Sequence, residues 1–322
     1  MTDGKIEVTQ VGPFRLKPWF SERPWGKRDL RPWYSTTGTS NLVGEAWLTG
    51  PECVVETGVM TGRTLAAVVA EASEQILGEG QGPEFPLLVK LLFPDDKLSV
   101  QVHPDDAQAK AMGQQRGKTE CWYVLEAKPG ATIALGLRDG VTAPAVRAAV
   151  IDGTLEQLLQ WVPVSVGDMF FVDAGTVHAI GPGVVLLETQ QTCDLTFRLY
   201  DYGRPRELHV DKALRVMRTH TAAGKVESFE MDGFTRLIDQ KYFVVDRYEV
   251  GKQKSVVIPI RQAGCVVCLD GVATMETEGT QPLEMLRGQA VVIPANVRSV
   301  TVRSYTGTSF VRCFAPPLAG EI

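Results

Sequence analysis

The stretch Leu98-Ser99-Val100-Gln101-Val102-His103 alternates strictly between apolar and polar side chains. Alternation of period two sets Leu98, Val100 and Val102 on one face of a strand and Ser99, Gln101 and His103 on the other. That second face carries no Lys, Glu or Thr, only compact residues that donate hydrogen bonds or bind a metal. Glu120 follows at the start of the next clear strand-like run, and His178 follows a glycine turn in DAGTVHAI. Two imidazoles and a carboxylate are the donors that zinc and similar divalent ions prefer, and the Gln101 carbonyl can add a fourth. The chain has only 4 histidines, so this pattern takes half of them. Singly, each residue has a plainer reading: a turn histidine before Pro104, a solvated charge at a strand end. Jointly, Gln101, His103, Glu120 and His178 form a candidate metal site with room left for substrate, where the ion would act as a Lewis acid.

Several neighbours extend the pattern. Lys118 lies two residues before Glu120, so an extended chain puts both on the metal-facing side. A cation close by lowers a lysine pKa and makes Lys118 a proton acceptor or donor; the alternative is a surface lysine with its stem along the protein. Lys90 sits inside the apolar run LLVKLL, a costly place unless its ammonium reaches water or an anion. With Ser99 it is a candidate contact for an anion such as phosphate. Asp105-Asp106 reads as a helix N-cap. Trp19, Trp25 and Trp33 read as an N-terminal arm packed across a barrel, and His209 and His220 as surface residues of a helical stretch. Cys265 and Cys268 form a C-x-x-C without a second such pair, which reads as two core thiols.

The elements that must position these residues are mostly strands. Short β-like runs such as CWYVLEA, DMFFVDA, VVLLETQ and TSFVRCFA are separated by glycine and proline, the signature of a sandwich or barrel. Helical pattern is confined to residues 64–78, residues 144–162 and a segment starting near Glu207. The chain also repeats itself weakly. GDMFFVDAGTVHAI from Gly167 matches GQAVVIPANVRSVTV from Gly288, and ECWYVLEAKPGATI matches GCVVCLDGVATM. Glu120 thereby falls opposite Gly264, and His178 opposite Ser299. The expected fold is mainly β, with the same all-β unit used twice and a few helices. The expected domains are 1–205 with the metal site, a helical connection over 206–235, and 236–322 without ligands.

The 322 residues, 44% hydrophobic and 22% charged, describe a soluble globular chain. A net charge of -5 argues against general affinity for nucleic acid. The start MTDGKIEVTQVGPF lacks a secretory pattern and no run is long enough to span a membrane, so a cytoplasmic protein is expected. Nothing in the sequence speaks for stable assembly, and a monomer or weak homodimer is expected.

Together, the Gln-x-His strand, the later Glu and the glycine turn before His178 resemble the two motifs of the cupin barrel, which implies two cupin-type jelly-roll units. More narrowly, FPLLVKLLFPDDKLSVQVHPDD, GKTECWYVLEAKPG, DAGTVHAIGPG, TFRLYDYGR, ERPWG and VGEAW resemble the type I mannose-6-phosphate isomerases, in their short bacterial form, over about residues 15–315. Three features depart from the family pattern: the missing helical insert, Lys27-Arg28-Asp29 after ERPWG, and Cys193-Asp194-Leu195 after the glutamines. The resemblance implies interconversion of mannose 6-phosphate and fructose 6-phosphate through an enediol, with one zinc or another divalent ion per chain. It also implies catalytic positions at Lys118 and Arg198, where the arginine would hold phosphate or a developing oxyanion. Proton transfer is left to Lys118, a water on the ion or a carboxylate not singled out. The rival readings are another cupin enzyme, whether a different sugar-phosphate isomerase or an Fe(II) oxygenase, and a non-catalytic sugar-binding module.

Overall fold

Val-, Leu- and Phe-rich runs pair antiparallel throughout the chain, because their branched and aromatic side chains pack well on a pleated surface. The computed structural model describes residues 11–35, 37–79 and 81–316. The reading of the first ten residues therefore lies outside the described part. No described helix is long and apolar enough to cross a membrane. The strands group into two compact units that interleave along the sequence, where three consecutive blocks were expected. One comprises Phe20–Trp47 and Leu88–Ser228; the other holds the chain up to Trp19, Leu48–Leu87 and the chain from Phe229 onward.

The first of these units is a two-sheet sandwich. One sheet has seven strands in the order Gly224–Val226, Met169–Val172, Glu120–Ala127, Val184–Gln191, Leu87–Leu92, Val43–Trp47 and Trp19–Lys27. The other has five, in the order Phe197–Tyr200, Val100–Val102, His178–Ile180, Thr132–Leu137 and Leu159–Pro163. Trp122, Val124, Phe170, Val172, Val184 and Leu186 from the larger sheet share one core with Ile133, Leu135 and Ile180 from the smaller. The back of the smaller sheet is covered as well. Val100, Val102, Val177, Ala179 and Phe197 pack with Val146 and Ala149 of helix Ala143–Ile151 and with Ala213 and Val216 of helix Val210–Val216.

This arrangement revises the reading of the alternating stretch. The strand spans only Val100–Val102, and Leu98 joins the core between the sheets instead of following Val100 and Val102. The polar face is interior, with Ser99 and His103 almost wholly buried. Among the helical expectations, residues 64–78 form two helices, Leu65–Glu71 capped by Thr64 and Ser73–Leu77. Residues 144–162 end as a helix at Ile151, because Gly153 turns the chain at φ 70, and Leu159–Pro163 is a strand. Asp105 caps helix Asp106–Ala111 in a full capping box with Gln108, as expected. Trp25 and Trp33 are buried, and Trp25 belongs to the core between the sheets.

In the second unit an eleven-stranded sheet is built around Gly264–Glu276 and Thr308–Phe314. Cys265 and Cys268 are free thiols in its core. The register bears on the repeat. Glu120 pairs with Val172 and Gln190, and Gly264 pairs with Ile293 and Phe314, so glycine occupies the position of the carboxylate. A Cβ on Gly264 would lie 2.6 Å from the Cys313 carbonyl oxygen, leaving no room for any side chain.

Gly117, next to Lys118, is equally confined: a Cβ there would stand 2.6 Å from the backbone nitrogen of Asp106 and closer still to the Asp105 carbonyl carbon. Gly117→Ala is expected to destabilise the protein by about 1–3 kcal/mol. The measurement is a lower urea midpoint with an unchanged slope.

Candidate metal centre

Three strands bring four side chains to the interior of the sandwich. Val100–Val102 supplies Gln101 and, just beyond its end, His103; Glu120–Ala127 begins with Glu120; His178–Ile180 begins with His178. Gln101 and His178 are direct cross-strand partners. The nearest donor atoms of His103, Glu120 and His178 all lie within 4.8 Å of one another. Glu120 Oε1 is 3.3 Å from His178 Nε2, and Glu120 Oε2 is 3.6 Å from His103 Nε2.

The rings are oriented by backbone carbonyls. His103 Nδ1 donates to the Leu195 carbonyl at 3.0 Å, and His178 Nδ1 donates to the Thr176 carbonyl at 2.9 Å. A carbonyl only accepts, so each Nδ1 carries the hydrogen and each Nε2 turns a lone pair toward Glu120. Burial is the main cause that lowers both histidine pKa values, His178 to about 4 and His103 well below 6.5, so both rings are neutral at pH 7. Neutral imidazole is the ligating form.

The site's chemistry fits a cation. Both oxygens of Glu120 are buried and neither has a hydrogen-bond partner in the structure. Lys118 Nζ comes within 3.1 Å of Oε2 as an ion pair without hydrogen-bond alignment, and within 3.2 Å of His103 Nε2. A buried carboxylate with one misaligned ion-pair partner and no hydrogen bond is costly, and a metal ion would remove that cost. Gln101 presents Nε2 to His178 Nε2 at 3.3 Å, while its Oε1 accepts from Ser99 Oγ at 3.3 Å. Half a turn of the amide would exchange the two and offer the carbonyl oxygen to the centre.

Around this group the structure gathers charges that sequence reasoning did not single out. The Lys90 ammonium stands 3.4 Å from Asp194, 3.5 Å from Glu188 and 3.8 Å from Glu45, and 4.5 Å from the ring centre of Trp47. These carboxylates answer the cost of a cation in an apolar strand. Glu45 is gripped by the Arg23 fork at 2.8 and 3.3 Å and accepts from Trp47 Nε1 at 2.6 Å. Burial alone would raise the Glu45 pKa, but Lys90 and Arg23 bring it down. Glu188 accepts from Trp122 Nε1 at 3.2 Å, and burial followed by Glu120 raises its pKa. Glu188 had a weaker signal in the sequence than Lys90: it follows the apolar run VVLL directly, within the strand-like segment VVLLETQQ. Lys118 also sits among these carboxylates. Burial alone would lower its pKa, but Glu120, Glu188 and Asp194 together outweigh burial and raise it. Arg198 pairs with Gln101 across the ladder, but its Nη1 donates to the Glu207 carbonyl at 2.8 Å and its Nε is buried without a partner.

The depressed imidazole pKa values have a consequence for chelator-treated protein. Between about pH 6.5 and 4 the unfolded chain binds more protons than the folded one. Stability is therefore complete above pH 6.5 and declines as pH falls through that window. His178→Gln should flatten the plot of urea midpoint against pH over this range; a plot parallel to that of the parent protein would contradict the assignment.

Residues 14–141 match the family model of the type I phosphomannose isomerase catalytic domain. A mannose-6-phosphate isomerase of Streptococcus mutans is 32% identical over 302 residues, covering 89% of this chain and 94% of that protein. One from Bacillus subtilis is 37% identical over 261 residues, covering 76% and 81%. The crystal structure of a Bacillus subtilis mannose 6-phosphate isomerase superposes with a TM-score of 0.83 at 28% identity, covering 94% of this chain and 99% of that one.

Proposed function

We infer the reaction from one premise: this chain belongs to the type I mannose-6-phosphate isomerases. It is an aldose–ketose isomerase, interconverting mannose 6-phosphate and fructose 6-phosphate. In that reaction the C2 proton of the aldose leaves, an enediol forms, and a proton is delivered to C1. The observation that carries the mechanistic reading is the buried Glu120 carboxylate, which accepts no hydrogen bond and faces two neutral imidazoles.

We propose that Gln101, His103, Glu120 and His178 hold a zinc ion, whose preferred donors they are, with another divalent ion as the alternative. When bound, the ion supplies a Lewis acid that draws charge from the sugar oxygens. The chain's own residues do the rest. Lys118, held charged by its acidic neighbours, donates toward the oxygen that gains charge as the C2 proton leaves. Glu188, whose proton affinity is raised by burial, suits the transfer of that proton from C2 to C1. Arg198, with an unpartnered Nε, receives the phosphate or the oxyanion. Ser99 and Lys90 contact the sugar. Because Lys90 is already ringed by three carboxylates, it fits a neutral hydroxyl better than a dianion. We assign catalysis to the unit that holds these residues, and no metal to the one in which Gly264 replaces the carboxylate. We also assign the protein to the cytoplasm, as a monomer or weak homodimer without a nucleic-acid or membrane partner.

Turnover of mannose 6-phosphate and exchange of its C2 proton with deuterated water should both stop on chelation and return with zinc. Lys118→Met should lower kcat about 100- to 10,000-fold. Full turnover by chelated protein would remove the ion from the mechanism, and tight sugar-phosphate binding without any exchange would favour the non-catalytic reading.

A further inference from the structure

After the Val184–Gln191 strand the chain turns sharply, and the turn carries two groups toward the centre. The Leu195 carbonyl accepts from His103 Nδ1 at 3.0 Å, and the Asp194 carboxylate lies 3.4 Å from Lys90 Nζ. Cys193 N donates to the Gln191 carbonyl at 2.7 Å, and Leu195 N donates to Cys193 Sγ at 3.5 Å, a weak sulfur contact.

Gln190, the residue before the turn, is wholly buried. It stands directly opposite Glu120 in the ladder, so both side chains lie on the interior face of the larger sheet. Its Nε2 donates to the carbonyls of Gln191, at 3.0 Å, and Cys193, at 2.6 Å. Carbonyls accept and never donate, so the amide cannot be reversed and its nitrogen must face the turn. The consequence falls on the other atom: Gln190 Oε1 is left buried without a partner. A methionine or leucine would fill the same space without that unfavourable atom. The buried amide therefore has to be explained by what its nitrogen does.

We propose that Gln190 is a positioning residue of the metal centre, pinning the turn so that the Leu195 carbonyl fixes the tautomer and direction of the His103 ring. This rests on the metal reading above and extends it to the groups that aim a ligand. Gln190 touches neither substrate nor ion; it acts through Cys193, Leu195 and His103 in sequence. Groups that orient a ligating histidine typically contribute about 10- to 100-fold to metal affinity.

The test compares the full-length protein with Gln190→Met, which keeps the volume and loses the donor, and Gln190→Glu, which sets acceptors against the two carbonyls. Zinc affinity is read by competition with a chromophoric chelator, and ligand geometry by the visible spectrum of cobalt-loaded protein. Both variants are expected to bind zinc about 10- to 100-fold more weakly, with a shifted cobalt spectrum. In a His103→Ala background the same substitutions should cost nothing further, because the ring they orient is gone. Should Gln190→Met fail to fold, Gln190→Asn, an amide one methylene too short for Cys193, gives the same reading. Parental affinity and spectrum in the variants, or an undiminished further loss in the His103→Ala background, would overturn the proposal alone. A parent protein that binds neither zinc nor cobalt would overturn the metal reading and this proposal together.

Discussion

The carboxylate of Glu120 sets the terms for this site. It lies inside the sandwich with both oxygens deprived of hydrogen bonds. A charge in that position is tolerated only against compensating charge, since the interior screens poorly and offers no water. The rings that face it are neutral and turn lone pairs, not protons, toward it. Lys118 is close but poorly aligned. A divalent cation between His103, Glu120 and His178 would relieve the carboxylate and meet both lone pairs. The carbonyls of Leu195 and Thr176 then make sense as devices that keep both lone pairs aimed.

The wider cluster has the same logic at longer range. Three cations, Arg23, Lys90 and Lys118, stand among four carboxylates, Glu45, Glu120, Glu188 and Asp194. A divalent ion reverses that excess of one negative charge into one positive charge, which suits a phosphorylated sugar. The pairs are linked, since Arg23 grips Glu45, Glu45 faces Lys90, and Lys90 faces Glu188. No single member is free to move without leaving another charge exposed to low dielectric, and such networks hold catalytic groups in register.

The second copy of the repeat shows what the frame does without this constraint. Arg312 is the ladder partner of Val266 just as Glu188 is of Trp122, so the two occupy equivalent positions. Arg312 lies over the Phe314 ring at 4.2 Å and directly opposite Asp246, which is itself held by Arg236. There Arg236 pairs with Asp246 and Asp239, and Gly264 leaves no space for a carboxylate at the position of Glu120. The duplicate kept the ladder and replaced the chemistry by packing.

By itself the amino-acid sequence determined the strand-rich fold, the duplication and the identity of the metal-type side chains. Period-two alternation, glycine turns and the types of Gln101, His103, Glu120 and His178 are local properties, written residue by residue. Only the tertiary structure decided that the polar face of this strand is interior, because facing is set by what packs behind Val100 and Val102, and those helices come from residues 143–151 and 210–216. It also decided the company of Lys90. Glu45, Glu188 and Asp194 are remote in sequence, and an ammonium seeking an anion gives no sign of which anion it will meet. Across residues 144–162 helix gives way to strand, since short apolar runs read alike until sheet pairing chooses between them. Sequence names the donor atoms; their common centre exists only once distant strands are paired.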